Sequence, residues 1–349
     1  MEKTELLREM IPPLLAWYEE NRRELPWRVS PTPYHVWLSE VMLQQTRIEA
    51  VIPYYERFLR ELPTVADLAV CPDDMLMKLW EGLGYYSRAR NLKKAAITIM
   101  ETYGGELPRT AAALRGLSGI GDYTAGTIAS IAFGEGEPAV DGNVLRVLMR
   151  LFGSRDDIMA ASVKKNTAEA LRAVYPTGED AKNLTEALME LGEVVCIPNG
   201  EAKCEKCPLS HLCTAKREGI IDELPYKSPK KGRKKEEKTV FLLSSHGLFA
   251  VRKREAQGLL AGLWELPNEK GTMDEAAAAS YLDALGLVPV SMRPMESAVH
   301  IFTHIEWHMT GYAVECATPA GDFVWKRPEE IRAHHAIPTA FRAFAKHME

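Results

Sequence analysis

Two glycines separated by one residue lie between two stretches of helical periodicity, and this arrangement constrains the fold more than any other feature. Apolar residues recur at three- and four-residue spacing after Gly121, which predicts a helix over residues 122–133, and a shorter helix is predicted over residues 110–116. We expect Gly119 and Gly121 to take backbone angles closed to other residues, so that free amides at the start of the second helix converge on one place. Such a place suits a phosphate, although a plain turn between packed helices has the same spacing.

A carboxylate follows this hairpin. Asp141 directly precedes a third predicted helix, residues 142–152, whose apolar positions again have helical spacing. Aspartate is a favoured N-cap residue, so a purely structural role also explains it.

The hairpin and the acid together carry a family resemblance. The residues that carry it are Leu117, Gly119, Ile120, Gly121, Tyr123, Thr124 and Ala125, followed by Val140, Asp141, Gly142 and Asn143. This pattern resembles the helix-hairpin-helix DNA glycosylases, and within them the adenine glycosylases of the MutY type.

The length and net charge of the chain are compatible with this resemblance. The 349 residues suggest two or three domains. The first residues are charged and broken by Pro12 and Pro13, which is typical of neither a signal peptide nor a membrane helix, so we expect a cytoplasmic, nucleoid-associated protein. The net charge of -5 argues only mildly against a nucleic-acid partner, because a sum over several domains says little about one face.

Basic residues cluster near position 230. The run contains Lys227, Lys230, Lys231, Arg233, Lys234, Lys235 and Lys238. We interpret it as a solvated linker, with DNA contact as the alternative.

A lone glutamate is predicted on an apolar helix face. Over a predicted helix at residues 34–50, Val36, Trp37 and Leu43 lie three or four positions from Glu40. A carboxylate there costs free energy unless it has a purpose or a partner, and the alternative is the polar edge of the helix. Residues 37–46 are similar to the segment that supplies the catalytic glutamate of MutY-type enzymes, and residues 82–91 also resemble a family segment. The resemblance extends over residues 25–213.

Two acids in different protonation states suit the cleavage of a glycosidic bond. A carboxylic acid with a raised pKa protonates the departing base, while an ionised carboxylate stabilises the sugar cation. We expect Glu40 to be the acid, because apolar neighbours desolvate it, and Asp141 to be the anion, because helix amides favour its charged form.

The resemblance implies further site residues. Tyr123 and Asn143 would lie beside the sugar and the aspartate, and Arg28 and Glu186 would hold the flipped base. Gln45 and Tyr85 would wedge into the DNA stack, because the base must leave the duplex before reaction. Endonuclease III-type relatives carry a lysine at the Tyr123 position, which forms a Schiff base. A phenol cannot do so, and we therefore expect a monofunctional enzyme.

Four of the six cysteines fall within eighteen residues. Cys196, Cys204, Cys207 and Cys213 have C-x7-C-x2-C-x5-C spacing, which suits an iron–sulfur cluster, zinc or free thiols. The resemblance implies a [4Fe-4S] cluster, although the family usually has six residues in the first gap and this chain has seven. Cys71 and Cys316 are expected to be buried as small apolar side chains.

The last hundred residues predict a small α+β domain. Strands are predicted over 239–243, 248–251, 299–303 and 307–314, and helices over 273–285 and 339–347. The segment from Gly262 to Pro267 resembles the Nudix-like domain of MutY enzymes, without the acidic pairs that hold magnesium in Nudix hydrolases. A histidine pair in a strand is usually a packing feature. The resemblance instead implies that Phe302, Thr303 and His304 read 8-oxoguanine, with threonine where serine is usual.

The predicted fold class is a mainly α helix-hairpin-helix glycosylase domain with an iron–sulfur loop, followed by an α+β Nudix-like domain. We place these at residues 1–224, with the loop at 196–213, and at 239–349, joined by the linker 225–238. The expected function is removal of adenine opposite 8-oxoguanine or guanine in double-stranded DNA, by a monomer that binds no membrane. The alternatives are an endonuclease III-like glycosylase-lyase and a non-catalytic lesion-binding protein.

Overall fold

Threonine and proline residues set where several N-terminal helices begin. The computed structural model describes residues 2–229 and 232–348. Up to residue 229 its α-helices are α1 (Lys3–Asn21), α2 (Pro26–Val29), α3 (Pro33–Leu43), α4 (Ile48–Glu61), α5 (Val65–Val70), α6 (Asp73–Leu79), α7 (Ser87–Tyr103), α8 (Ala111–Leu114), α9 (Asp122–Phe133), α10 (Gly142–Phe152), α11 (Ala161–Arg172), α12 (Glu179–Val194) and α13 (Thr214–Glu218). The hydroxyls of Thr32 and Thr110 accept hydrogen bonds from main-chain amides and cap α3 and α8.

The chain divides into two compact units. One contains Met1–Val70 and Arg90–Pro229, and the other contains Cys71–Ala89 and Lys230–Glu349. Lys230 and Lys231 of the basic run lie outside the described residues.

Three helices pack around one hydrophobic core of the first unit. Their buried apolar side chains are Leu7, Met10 and Leu14 of α1, Val144, Leu148 and Leu151 of α10, and Leu184, Leu188 and Leu191 of α12. Burial of each such side chain is worth about 1.5–3 kcal/mol. Because Asp141 precedes α10 and Glu186 lies on α12, this core fixes the main chain under both residues.

The helix predictions around the glycine hairpin are confirmed, and the one around Glu40 is partly wrong. α9 and α10 have the predicted bounds, and each ends at a left-handed glycine, Gly134 or Gly153. The predicted helix over 34–50 instead stops at Leu43, and α4 begins at Ile48. Gln45, between them, has a left-handed φ of 60°.

A mixed sheet forms the second unit. Its strands are β1 (Lys234–Ser245), β2 (Leu248–Lys253), β3 (Trp264–Glu265), β4 (Asn268–Lys270), β5 (Pro289–Ile301), β6 (Ile305–Cys316) and β7 (Val324–Lys326). The order is β3-β2-β1-β6-β5, with β4 paired to β1 and β7 to β2; β1 and β6 are parallel and the other pairs antiparallel. Further helices are α14 (Glu275–Ala284), α15 (Pro328–His334) and α16 (Arg342–Ala345).

The sheet has a core on each face. Alternate residues of β1 point to opposite faces, so that Val240 and Leu242 join one core while Phe241 and Leu243 join the other. The first core also contains Ile331 of α15, and the second contains Leu282 of α14, so helices cover both faces.

Several C-terminal elements differ in length from their predictions. β1 begins at Lys234 and β5 at Pro289, five and ten residues before the predicted starts. The predicted final helix consists of a 3₁₀ turn, Thr339–Phe341, followed by α16. Cys71 and Cys316 are buried, as predicted. Across residues 2–229 and 232–348, every helix is too short or too polar to cross a membrane.

Candidate active site

The hairpin turn depends on one of its two glycines. Gly119 has a φ of 77°, and a Cβ atom there would lie 2.6 Å from Cβ of Asn91. Gly121 has extended backbone angles and open space around it, so the prediction that both glycines need special angles is wrong for Gly121. No side chain caps α9 at Gly121, which leaves the start of that helix to the main-chain amides.

Glu40 is buried on α3 and bonded to the helix after the hairpin. It is 6% exposed, and the hydroxyl of Tyr123 donates a hydrogen bond of 2.6 Å to its Oε2 atom. Burial raises the pKa of Glu40 to about 7; the Tyr123 bond opposes this shift, and the nearby Asp141 and Glu186 carboxylates add to it. Glu40 therefore retains its proton up to about neutral pH.

Asp141 caps α10 and receives several hydrogen bonds. Its Oδ1 atom accepts from the Val144 amide at 2.8 Å, and its Oδ2 atom accepts from Nδ2 of Asn143 at 3.0 Å. Burial raises the pKa of Asp141, against these bonds and the charge of Arg146, which lower it. The amide donors predicted from the sequence are present, but the net direction differs from the prediction because the carboxyl group is buried.

Asn143 is held in turn by Arg146. Nη2 of Arg146 donates to Oδ1 of Asn143 at 2.8 Å and to the Gly192 carbonyl at 2.7 Å, and Nε donates to the Cys196 carbonyl at 2.7 Å. Since the Asn143 carbonyl faces Arg146, its amide nitrogen faces Asp141. Hydrogen bonds thus connect Asp141, through Asn143 and Arg146, to the main chain at Cys196.

Glu40 and Asp141 share one open cavity. Tyr123 and Asn143 also line it, together with Gln45, and its volume is about 900 Å³. Glu40 and Asp141, which are 101 positions apart in the sequence, thus line the same cavity. A nucleotide pulled from a duplex needs a space of this kind.

A smaller cavity adjoins the first. It has a volume of about 50 Å³ and is lined by Arg28, Glu40 and Glu186, among largely apolar neighbours such as Trp27 and Met189. Nε of Arg28 lies 3.4 Å from Oε1 of Glu186. The predicted base-binding pair is therefore brought together beside Glu40.

Two buried residues that bond to this pair were not predicted, and one of them, Glu190, also lines the small cavity. Tyr18 of α1 donates to Oε2 of Glu186 at 2.8 Å, and Glu190 of α12 accepts from Nη2 of Arg28 at 2.9 Å. The spacing of Glu186, Glu190 and Glu193, at intervals of four and three, places three carboxylates on one helix face. That spacing is a sequence signal for Glu190; Tyr18 has none, because its partner is 168 residues away.

The four predicted cysteine ligands line one small, otherwise mainly apolar cavity. They are Cys196, Cys204, Cys207 and Cys213. Within the described residues, no group of three or more His, Cys, Asp or Glu side chains is placed to hold a metal ion. Four thiols around a common space are the donor set that an iron–sulfur cluster or a zinc ion takes from a protein. Nη1 of Arg150 lies 3.3 Å from Sγ of Cys196.

The two residues expected to insert into the DNA stack have left-handed backbone angles. Gln45 and Tyr85 are both exposed and have φ values of 60° and 48°. The Tyr85 loop is fixed by Trp80, whose Nε1 donates to the Gly84 carbonyl at 3.1 Å, and by Arg88, whose Nη2 donates to the Leu83 carbonyl at 3.1 Å. Left-handed non-glycine residues carry strain and are enriched at functional sites.

Phe302, Thr303 and His304 form the loop between β5 and β6. The Phe302 amide donates to the Ile305 carbonyl at 2.8 Å, and the Phe302 ring packs edge-on against Trp307 with centroids 4.9 Å apart. Thr303 and His304 are exposed, and Oγ1 of Thr303 lies 3.1 Å from the hydroxyl of Tyr85 within the second unit. The loop therefore presents a hydroxyl, an imidazole and a half-buried ring together.

The described part of the basic run is not a uniformly solvated linker. Lys234, Lys235 and Lys238 lie on β1, and Lys238 is buried with its Nζ donating to Oδ1 of Asn268 at 3.0 Å. Arg233 donates from Nε to the Phe302 carbonyl at 3.2 Å.

Comparisons with known proteins agree with this architecture. The family described as HhH-GPD superfamily base excision DNA repair protein matches residues 38–176, and the NUDIX domain family matches residues 239–347. The helical part is similar to a thermostable thymine-DNA glycosylase, with a TM-score of 0.55 and 28% identity over 61% of this chain and 98% of that chain. It is also similar to endonuclease III in a non-covalent DNA complex, with a TM-score of 0.54 and 26% identity over 63% and 99% of the two chains.

Similarity over nearly the whole chain identifies the family. The chain is 34% identical to the human adenine DNA glycosylase, over 94% of this chain and 72% of that protein. It is 32% identical to the rat adenine DNA glycosylase, over 96% and 77%, and to that of Buchnera aphidicola subsp. Acyrthosiphon pisum (strain APS), over 85% and 83%. The predicted fold class is confirmed, and with matches that span both the helical and the Nudix-like parts, the chain belongs to the adenine DNA glycosylase family.

Proposed function

We propose that this protein hydrolyses the N-glycosidic bond of adenine mispaired with 8-oxoguanine or guanine in double-stranded DNA and leaves an abasic site. The observation that carries the proposal is the cavity shared by Glu40 and Asp141. One of these acids has a pKa of about 7, and the other receives hydrogen bonds from amide groups.

Glu40 is the general acid. A carboxyl group with a pKa near the working pH is suited to donate a proton to the departing adenine ring. Tyr123 bonds to one oxygen of Glu40 and leaves the other for the base. After the base departs, the Glu40 carboxylate helps to position the attacking water.

Asp141 stabilises the sugar as positive charge develops on it. The amide of Val144 and the side chain of Asn143 donate to the two carboxylate oxygens and offset part of the cost that burial places on the ionised form. A negative charge held in a fixed position beside the sugar stabilises an oxocarbenium-like transition state.

Arg28 and Glu186 hold the flipped adenine. Adenine presents a hydrogen-bond donor, its exocyclic amino group, beside a ring-nitrogen acceptor. A guanidinium paired with a carboxylate offers the complementary acceptor and donor, and this pair lines the small cavity next to Glu40.

The DNA is held and opened by other parts of the chain. The amides after Gly119 and Gly121 bind a phosphate, and Gln45 and Tyr85 fill the space left in the base stack. Phe302, Thr303 and His304 read the 8-oxoguanine opposite adenine. The Nudix-like domain does not hydrolyse nucleotides, because it lacks the acidic pairs that bind magnesium in Nudix hydrolases.

Cys196, Cys204, Cys207 and Cys213 hold a [4Fe-4S] cluster, as is typical of the family. When bound, the cluster supplies a covalent link between the end of α12 and the segment before α13. Arg146 and Arg150 bond to the segment around Cys196, so this link also holds the middle and the C-terminal part of α10, the helix that Asp141 caps.

We further propose that the protein acts as a monomer at the chromosomal DNA of the cytoplasm. Glycosylase relatives are known in complex with DNA, including endonuclease III. No membrane is involved in the proposed reaction.

One assay separates this function from its alternatives. The protein is incubated in excess with duplexes that carry adenine opposite 8-oxoguanine, adenine opposite cytosine, or thymine glycol opposite adenine. We expect strand breaks only in the first duplex and only after hot alkali. Breaks at thymine glycol without alkali would indicate the lyase, and binding without breaks would indicate the non-catalytic protein.

Substitutions at the cavity test whether the proposed residues carry out the reaction. Glu40→Gln and Asp141→Asn should each slow adenine release by at least about 100-fold while binding of the mispair remains measurable. Glu56→Gln, at an exposed position on α4, is the matched control and should release adenine at the wild-type rate. Lys164 also lines the cavity, so Lys164→Ala identifies the source of any breaks that appear without alkali.

A further inference from the structure

We propose that Tyr18 and Glu190 are positioning residues that fix the Glu186 carboxylate and the Arg28 guanidinium in the orientations that recognise adenine. This inference rests on the proposed function of the Arg28–Glu186 pair. Neither residue lines the cavity beside Asp141; Glu190, but not Tyr18, lines the small cavity beside Glu40, and each residue is bonded to a residue of the pair.

Tyr18 fixes the carboxylate. Its side chain is 1% exposed within the core of α1, α10 and α12, and its hydroxyl donates to Oε2 of Glu186 at 2.8 Å. The Arg28 guanidinium lies 5.6 Å from the Tyr18 ring centroid. Because the ring is locked by packing, the donated bond allows Glu186 one orientation, with Oε1 toward Arg28.

Glu190 fixes the guanidinium. It is 1% exposed, and its Oε2 atom accepts from Nη2 of Arg28 at 2.9 Å and from Nη2 of Arg23 at 3.1 Å. Nη1 of Arg28 donates to the Arg23 carbonyl at 3.1 Å. Although burial raises the pKa of Glu190, the bonds and charges of the two arginines hold it below its usual value, so the carboxylate is a permanent counter-ion.

This arrangement divides the tasks of two carboxylates one helical turn apart. Glu190 accepts a hydrogen bond from Arg28, so Arg28 makes only a loose contact of 3.4 Å with Oε1 of Glu186, and a lone pair of that oxygen can accept from the amino group of adenine. Without Glu190, Arg28 would turn fully onto Glu186 and occupy that oxygen. Recognition of the amino group therefore depends on Tyr18 and Glu190, which act through Glu186 and Arg28.

The test compares adenine with purine, which lacks the exocyclic amino group, each placed opposite 8-oxoguanine. Single-turnover release is measured for wild type and Tyr18→Phe, which removes only the hydroxyl. We expect adenine release to slow by about tenfold and purine release to change by less than about twofold, since the loss concerns the contact with the amino group. The matched control is Tyr34→Phe, which removes another buried hydroxyl bond, to the Leu62 carbonyl at 2.9 Å. It should leave both rates unchanged.

Each outcome is decisive. Equal slowing of the two substrates by Tyr18→Phe would mean a general structural role and would overturn the proposal, as would unchanged rates. Glu190→Gln should also lower the ratio of adenine to purine release. An unchanged ratio would show that Glu190 has no part in recognising the amino group. If the wild-type protein released neither base, the proposed function itself would be refuted, a result distinct from loss of discrimination.

Discussion

Replacing Glu40 by glutamine should make the DNA-free protein more stable at alkaline pH. In the folded protein the pKa of Glu40 is raised from 4.5 to about 7, chiefly by burial. The folded state therefore binds a proton that the unfolded chain has already lost, and the free energy of unfolding falls as pH rises from about 4.5 through about 7. Glutamine does not ionise and avoids this loss.

The magnitude follows from the size of the shift. One pKa unit corresponds to about 1.4 kcal/mol, so full ionisation of Glu40 costs about 3 kcal/mol. Between pH 5.5 and pH 8.5 the cost grows by about 2 kcal/mol. For a protein of this size, that difference corresponds to about 3 °C in melting temperature.

Thermal unfolding of wild type and Glu40→Gln at pH 5.5 and pH 8.5 measures the effect. The melting temperature of the variant relative to wild type should rise by about 3 °C between the two pH values. Glu56→Gln, exposed on α4, should follow wild type at both. If the Glu40→Gln and wild-type melting temperatures changed in parallel with pH, the carboxyl group would titrate normally and the reasoning would be refuted.

Three further substitutions test other parts of the account. Cys207→Ser should remove the visible absorption of the cluster and lower the melting temperature, whereas Cys71→Ser, outside the cluster, should keep the absorption. Gly119→Ala should destabilise the protein by about 2 kcal/mol and weaken DNA binding, because of its left-handed φ and the nearby Asn91, while Gly121→Ala should cost less than about 1 kcal/mol; equal effects would contradict the hairpin analysis. Thr303→Val should reduce the preference for 8-oxoguanine over guanine in competition binding, and an unchanged preference would exclude the hydroxyl from recognition.

Local signals predicted the elements that carry the acids. The apolar periodicity before Gly134 and Gly153 gave the bounds of α9 and α10, because a left-handed glycine ends each helix within the same short segment. The apolar neighbours of Glu40 along α3 likewise predicted its burial.

The features that were missed depend on distant partners. Helical periodicity continues past Leu43, but the chain breaks there and the Gln44 side chain donates to Oγ1 of Thr124, 80 residues away, at 3.3 Å. The net pKa direction of Asp141 depends on burial by segments that the local sequence does not reveal. The same holds for Tyr18, which joins Glu186 only after α1 packs on α12.

The central claim is that Glu40 acts as a neutral acid, and the pH dependence of single-turnover adenine release tests it most directly. With saturating protein and a duplex that pairs adenine with 8-oxoguanine, the rate should be level below about pH 7 and fall about tenfold per pH unit above it. A rate that stays constant from about pH 6 to about pH 9 would contradict the assignment.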